Sequence, residues 1–125
     1  MRVKDVMNKV VTIGEDIKLI EAAKKMSEKN IGSLVITRKE KIAGIITDTD
    51  IVRNADKINK RVSEVMSKNV VLIDENETLD KAAEIMKTKK IKRLPVMSDG
   101  KLVGIITATD ILANSSELNE NFFFE

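Results

Sequence analysis

The sequence predicts an α/β (α+β) protein made of two β-α-β-β-α repeats that pack about a pseudo-twofold axis. The main observation is internal repetition: residues 10–52 align with residues 70–112 without a gap, at 19 identities in 43 pairs. The length of 125 residues is that of one ordinary domain, and a hydrophobic content of 42% supports a packed core. A single copy of about 60 residues is marginal alone, so the two copies are expected to pack together.

The first half of each copy predicts a short strand followed by an amphipathic helix. "VVTI" (10–13) is rich in β-branched residues, and Gly14 to Asp16 form a turn. Apolar residues then recur at i, i+3, i+4 and i+7, as one face of a helix requires. They are Leu19, Ala22, Ala23 and Met26 in the first copy, and Leu79, Ala82, Ala83 and Met86 in the second. The alanine pairs would let the helix lie close to a sheet.

The second half of each copy predicts a hairpin and another helix. The runs "SLVIT" (33–37) and "IAGIIT" (42–47) flank the polar turn "RKEK", while "SDG" (98–100) supplies better turn chemistry in the second copy. A helix is expected to begin near Thr49 or Thr109. "VKDVM" (3–7) also matches "VSEVM" (62–66) after one insertion. We therefore divide the chain into 1–59 (first repeat with the linker "RNADKINKR", 53–61), 60–116 (second repeat) and the tail 117–125.

Composition excludes several functional classes. The chain contains no cysteine and no histidine, so it has no disulfide, no thiolate nucleophile and none of the commonest general bases. A net charge of +2 offers no large basic face for nucleic acid. No signal peptide and no run of about 20 apolar residues is present, which indicates a cytoplasmic protein not inserted in a membrane. The high Lys and Glu content favours a thermophilic source.

The motif "GIITDTDI" (44–51), repeated as "GIITATDI" (104–111), is the candidate functional feature. A strand ending in Asp-x-Asp resembles the nucleophile motif of haloacid-dehalogenase-like phosphatases, but the second copy has Ala108 in the nucleophile position. The alternative is binding, since both copies share Gly-Ile-Ile-Thr-x-Thr-Asp-Ile. Hydroxyls beside a helix N-terminus suit phosphate, and a carboxylate suits paired ribose hydroxyls. One copy of the motif, taken singly, would be better explained as a helix cap.

Together these segments resemble the tandem cystathionine-β-synthase (CBS) domain pair, or Bateman module, from Val3 to about Ala113. The resemblance rests on "VMNKVVTI", "EAAKKM", "IGSLVIT" and "GIITDTDI", with their counterparts in the second copy. It implies a regulatory, non-catalytic sensor that binds AMP, ADP, ATP or S-adenosylmethionine between the repeats, with Mg²⁺ accompanying ATP. It also implies a homodimer that signals to a protein partner.

The resemblance assigns roles to particular residues. Asp50 and Asp110 would hold ribose hydroxyls, and Thr47, Thr49, Thr107 and Thr109 would meet phosphate or ribose. Adenine would contact apolar residues that could equally be plain core, namely Val3, Val10, Ile31 and Ile46 in one site, and Val62, Val70, Ile91 and Ile106 in the other.

Lys92 and Arg93 stand where family members often carry phosphate-binding residues, although they could instead form a solvated edge. The first copy has Gly32 and Ser33 there, and Val35 in place of Pro95. We therefore expect the two sites to differ in affinity and in their tolerance for extra phosphates.

Two further possibilities remain open from the sequence. The chain could be a structural or interaction module whose ligand sites are empty. The tail "NENFFFE" (119–125) holds all three phenylalanines, which could dock on a partner or fold back over their own module. An enzyme using carboxylates and lysines is the third reading, disfavoured by the missing His and Cys.

Overall fold

The computed structural model describes residues 1–115, which form two compact units. The unit that contains the first repeat, here the first unit, comprises Val11–Val70. The second unit joins Met1–Val10 to the segment that begins at Val71. The tail with its three phenylalanines lies outside the described residues. Among residues 1–115, none of the helices has the length and apolar character that a membrane crossing requires.

The first unit is a three-stranded sheet with three helices. Strand β1 (Thr12–Ile13) runs parallel to β2 (Ser33–Arg38), and β2 pairs antiparallel with β3 (Lys41–Thr47). Its helices are α2 (Leu19–Lys29), α3 (Asp48–Arg53) and α4 (Val62–Val65), with a 3₁₀ turn at Ala55–Lys57. The predicted β-α-β-β-α order is confirmed, with each second helix beginning one residue before the expected threonine.

The second unit repeats this topology. Strand β4 (Ile73–Asp74) is parallel to β5 (Arg93–Ser98), which is antiparallel to β6 (Lys101–Thr107). Its helices are α1 (Val3–Val6), α5 (Leu79–Lys89) and α6 (Ala108–Ala113). Helices α2 and α5 bury only part of their predicted apolar face. Ala83 is exposed, whereas the buried residues are Ala22, Met26, Ala82 and Met86.

The two hairpin turns have the same backbone conformation, and the sequence of the second copy suits it better. Both turns place two successive residues at positive φ, as a two-residue hairpin loop requires. In the second unit these are Asp99 (φ 49°) and Gly100 (φ 77°). In the first unit they are Lys39 (φ 51°) and Glu40 (φ 65°), which adopt this region less readily.

A proline accounts for the different strand limits of β1 and β4. In the first unit the N–H of Val35 donates to the carbonyl of Val11 at 3.1 Å, at the start of the parallel pairing. Pro95 stands at the equivalent position of β5 and has no N–H to donate. The parallel ladder of the second unit consequently begins with Ile73 and is displaced by one residue.

The segments before each repeat join the other copy's unit. Val3 is fully buried in the core that contains Leu94 and Ile106, while Val62 is fully buried in the core that contains Ile46. Helix α1 is anchored by the N–H of Val3, which donates to the carbonyl of Glu77 at 2.8 Å. Each compact unit is thus completed by a short helix that precedes the other repeat in sequence.

Candidate ligand-binding sites

In the second unit, Thr107 and Asp110 join the end of β6 to the start of α6. The Oδ2 atom of Asp110 accepts hydrogen bonds from the backbone N–H of Thr107 at 2.8 Å and from its hydroxyl at 2.9 Å. The N–H of Asp110 in turn donates to the Thr107 hydroxyl at 3.2 Å. This is a capping box, in which a threonine and an acid three residues later satisfy each other's backbone donors.

A residue that sequence reasoning missed, Asn8, also holds Asp110. Its side-chain Nδ2 donates to Asp110 Oδ2 at 2.7 Å. The backbone of Asn8 is fixed on β6 by a pair of bonds, from its N–H to the carbonyl of Ile105 at 2.8 Å and back at 3.0 Å. All three side-chain and backbone donors meet one oxygen of Asp110, so Oδ1 is not used in any of these bonds.

The first unit has the same junction, but the carboxylate of Asp50 accepts one side-chain hydrogen bond fewer than that of Asp110. Asp50 Oδ2 accepts from the N–H of Thr47 at 2.9 Å and from its hydroxyl at 3.1 Å. Ser67 occupies the position of Asn8 and exchanges backbone bonds with Ile45 at 2.9 and 3.0 Å. A serine side chain is shorter than that of asparagine and carries no amide, so the two carboxylates are positioned by different means.

The motif glycines allow these segments to approach the strands. A Cβ on Gly104 would lie 2.7 Å from the sulfur of Met7 and 2.9 Å from the carbonyl oxygen of Asn8. A Cβ on Gly44 would lie 2.6 Å from the sulfur of Met66. The group that approaches each of these glycines is therefore the chain itself.

The structure places the predicted basic residues beside the second junction. Arg93 is paired with Thr107 across β5 and β6, and the carbonyl of Lys92 accepts from the N–H of Ala108 at 2.9 Å. In the first unit the same places are taken by Ser33, paired with Thr47, and Gly32, whose carbonyl accepts from Asp48 at 2.9 Å.

The predicted adenine contacts are divided between the two units. Val3 belongs to the unit of Ile91 and Ile106, not to that of Ile31 and Ile46, because the N-terminal segment packs on the second repeat. The reverse holds for Val62, and the unit boundaries likewise place Val10 in the second unit and Val70 in the first.

Burial separates this apolar set into two groups. Val3, Ile46, Val62 and Ile106 are fully buried, as core residues are. Val10, Ile31, Val70 and Ile91 are half-buried and remain open to a ligand. Thr49 and Thr109 are exposed, with Asp50 and Asp110 half-buried, so the capping role leaves parts of these side chains accessible.

The first unit also contains a cavity away from its junction. A cavity of about 440 Å³ in the first unit is lined by residues 56–60 and Glu64, none of which was predicted as a site residue. Within residues 1–115, no group of three or more acidic side chains is arranged to hold a metal ion.

A model of the CBS domain matches this chain twice, at residues 3–57 and 62–117. The chain belongs to the CBS domain family. The resemblance drawn from the repeated motif is therefore confirmed, together with the fold class of a CBS pair.

Curated relatives of this CBS pair include several longer proteins. An uncharacterized protein of Methanocaldococcus jannaschii, MJ1232, is 39% identical over 125 residues, covering 98% of this chain and 42% of that protein. Homoserine O-acetyltransferase of Methanohalobium evestigatum is 37% identical over 96% of this chain and 24% of the enzyme. Inosine-5′-monophosphate dehydrogenase of M. jannaschii is 38% identical over 86% of this chain and 22% of the enzyme. The chain spans less than half the length of each of these three relatives.

Solved structures extend the comparison. The CBS domain pair of protein MJ0100, in complex with 5′-methylthioadenosine and S-adenosyl-L-methionine, is 35% identical with a TM-score of 0.84, covering 90% of this chain and 94% of that one. A hexameric CBS-CP12 protein from bloom-forming cyanobacteria is 31% identical with a TM-score of 0.86, covering 95% of this chain and 74% of that one.

Proposed function

We propose that this chain is a regulatory module that binds an adenosine derivative at each Thr-x-Thr-Asp junction and has no catalytic activity of its own. The observation that supports the proposal is the way in which the carboxylate of Asp110 is held. Thr107 and Asn8 fix its Oδ2 through three hydrogen bonds, none of which uses Oδ1. A carboxylate held in this way can accept hydrogen bonds from the two adjacent hydroxyls of a ribose with little loss of side-chain entropy.

The surrounding residues suit the rest of such a ligand. In the second unit, the half-buried Val10 and Ile91 would contact adenine, and the exposed Thr109 would reach the 5′ substituent. Lys92 and Arg93 would contribute charge-assisted contacts to a phosphate. In the first unit the corresponding residues would be Ile31, Val70 and Thr49.

Two comparisons support a binding and regulatory role. The CBS pair of MJ0100 was crystallised with two adenosine derivatives and is 35% identical to this chain. Enzymes such as inosine-5′-monophosphate dehydrogenase include a similar segment as about a fifth of their length. The mechanism would be a population shift, in which the ligand stabilises one arrangement of the module and a partner responds to it.

We further propose that the module acts as a homodimer. Val52 on α3 is 73% exposed and its counterpart Leu112 on α6 is 41% exposed, so each of these short helices presents an apolar side chain to solvent. Sedimentation of the wild type and of Val52→Lys tests this. A dimer that becomes a monomer on substitution supports the proposal, and a wild-type monomer at all concentrations contradicts it.

The binding proposal is tested by isothermal titration with AMP, ADP, ATP plus Mg²⁺, and S-adenosylmethionine. Asp110→Asn and Asp50→Asn should each remove one class of site, because an amide nitrogen replaces one of the acceptors. Asp80→Asn, on the exposed start of α5, is the matched control and should bind as the wild type does. If no ligand binds at millimolar concentration, the junctions are helix caps and the alternative of an interaction module with empty sites takes precedence.

A further inference from the structure

The two junctions have the same backbone but different side-chain charges at one position. The residue between the two threonines is Asp48 in the first unit and Ala108 in the second. The N–H groups of both residues donate to equivalent carbonyls, those of Gly32 and Lys92, at 2.9 Å in each case. The carboxylate of Asp48 is exposed, and its Oδ1 accepts from the N–H of Thr49 at 2.8 Å, so it is held at the junction.

The residues that open the neighbouring strand increase this difference. At these positions the second unit carries two cations, Lys92 and Arg93, whereas the first unit has only Gly32 and Ser33. With the motif carboxylates included, two cations and one carboxylate give the second junction a formal charge of +1. Two carboxylates without a cation at these positions give the first junction a formal charge of −2.

The other basic residues beside the junctions do not cancel this contrast. Lys9 follows Asn8 in the second unit, and Lys68 follows Ser67 in the first, so each junction has one such lysine. Arg53, at the end of α3, has the neutral Ala113 as its counterpart in α6, so it adds one positive charge near the first junction alone and reduces the difference in formal charge from three to two. This difference separates two sites whose backbone hydrogen bonds are alike.

We propose that the two sites sort adenosine ligands by charge, which rests on the proposed function. The second unit takes adenosine 5′-phosphates, and the first unit takes an adenosine derivative whose 5′ substituent is uncharged or cationic, such as a thioether or a sulfonium. Asp48 is the specificity-determining residue of the first unit. If Asp50 holds the ribose, the 5′ substituent lies beside the two threonines that flank Asp48, where a carboxylate repels phosphate and attracts a cation.

The expected size of the effect follows from charge interactions near a protein surface. Two unit charges about 4 Å apart in water change a binding constant by about fivefold. A phosphate monoester carries between one and two negative charges at neutral pH, and salt screens part of the interaction. We therefore expect removal of the Asp48 charge to strengthen binding of a phosphate ligand at the first unit by about tenfold.

The test is a titration of the ¹⁵N-labelled chain with AMP and, separately, with 5′-methylthioadenosine, which lacks the phosphate. The amide signals of Gly44 and Gly104 report on the first and second units, because each glycine lies three residues before the first threonine of its motif. AMP should shift Gly104 at lower concentration than Gly44. The ratio of the two affinities should fall or reverse with 5′-methylthioadenosine.

Variants assign the effect to charge. Asp48→Asn retains an oxygen that can accept from Thr49 and should strengthen AMP binding at the first unit by about tenfold, with 5′-methylthioadenosine binding changed by less than about twofold. Lys92→Gln should weaken AMP binding at the second unit alone. Asp56→Asn, which removes an exposed carboxylate of the first unit on the 3₁₀ turn, is the matched control and should change neither ligand.

The outcomes distinguish this proposal from the one on which it rests. If both ligands bind both units with similar affinity, and Asp48→Asn leaves AMP binding unchanged, sorting by charge is wrong while adenosine binding stands. If Asp48→Asn strengthens both ligands equally, its effect is structural and sorting is again wrong. If neither ligand shifts either glycine signal, adenosine binding itself is wrong and sorting fails with it.

Discussion

Replacing Gly104 with alanine tests how the segment before the first repeat is attached to the second unit. The new Cβ would lie 2.7 Å from the sulfur of Met7 and 2.9 Å from the carbonyl oxygen of Asn8. The methionine side chain can turn away, but that carbonyl is bonded to the N–H of Ile105 at 3.0 Å and cannot move without weakening the bond. The backbone of residues 7 and 8 must therefore shift.

The energetic consequence can be estimated from these contacts. Overpacking by one methyl group in a close contact costs roughly 1–3 kcal/mol. Weakening the two backbone bonds between Asn8 and Ile105 adds about 1 kcal/mol. Alanine restricts the unfolded chain more than glycine does, which offsets about 0.5–1 kcal/mol. We expect Gly104→Ala to lower the free energy of unfolding by about 1–3.5 kcal/mol.

Urea unfolding of Gly104→Ala, Gly44→Ala and Gly14→Ala measures this directly. Gly44→Ala should behave like Gly104→Ala, since its Cβ would lie 2.9 Å from the carbonyl oxygen of Ser67. Gly14→Ala is the matched control, because a Cβ there meets nothing within 4 Å, and it should be neutral or slightly stabilising. The reasoning is refuted if Gly104→Ala is as stable as Gly14→Ala.

Three further predictions concern capping, pH and the ligand. Thr78 caps α5 by accepting from the N–H of Lys81 at 3.1 Å, so Thr78→Ala should lower the free energy of unfolding in urea by about 1 kcal/mol. Lys18 precedes α2 at nearly the same φ and ψ, so Lys18→Thr should raise the free energy of unfolding by a similar amount. The hydroxyl of Ser63 donates to Asp16 at 2.7 Å and holds the pKa of that carboxyl below its ordinary value. A carboxyl whose pKa is lower in the folded state adds stability above its unfolded pKa of about 3.9, and this stability is lost as pH falls through the folded pKa. Ser63→Ala should therefore destabilise the protein at pH 7. In unfolding experiments, the difference in stability between Ser63→Ala and the wild type should narrow below about pH 4. Asn8→Ala should weaken AMP binding at the second unit several-fold in titration while leaving AMP binding at the first unit unchanged. If the variant and the wild type bind AMP equally at the second unit, Asn8 does not position Asp110 for binding.

Local patterns predicted most of the fold because each copy repeats them. The apolar spacing from Leu19 to Met26 defines α2, and its repetition defines α5. The attachment of α1 was not predictable in the same way. "VKDVM" and "VSEVM" show that both segments play the same part, but two similar copies offer two similar sheets. Only tertiary packing decides which sheet buries Val3.

The candidate site was predicted in part for a related reason. The spacing of three between Thr107 and Asp110 is a local signal, and the structure brings these residues together as a capping box. Asn8 lies 102 residues from Asp110 in sequence and has no counterpart in the first unit, where Ser67 stands, so neither spacing nor repetition pointed to it. The burial of Val3 and Ile106 likewise depends on packing that the sequence alone does not specify.

A crystal structure of the chain grown with AMP tests the central claim most directly. Adenosine binding at the junction predicts that both ribose hydroxyl oxygens lie within about 3 Å of the Asp110 carboxylate, with adenine against Val10 and Ile91. A nucleotide bound elsewhere, with the Asp110 carboxylate still bonded to Thr107 and Asn8, would contradict the claim and leave the junction as a helix cap.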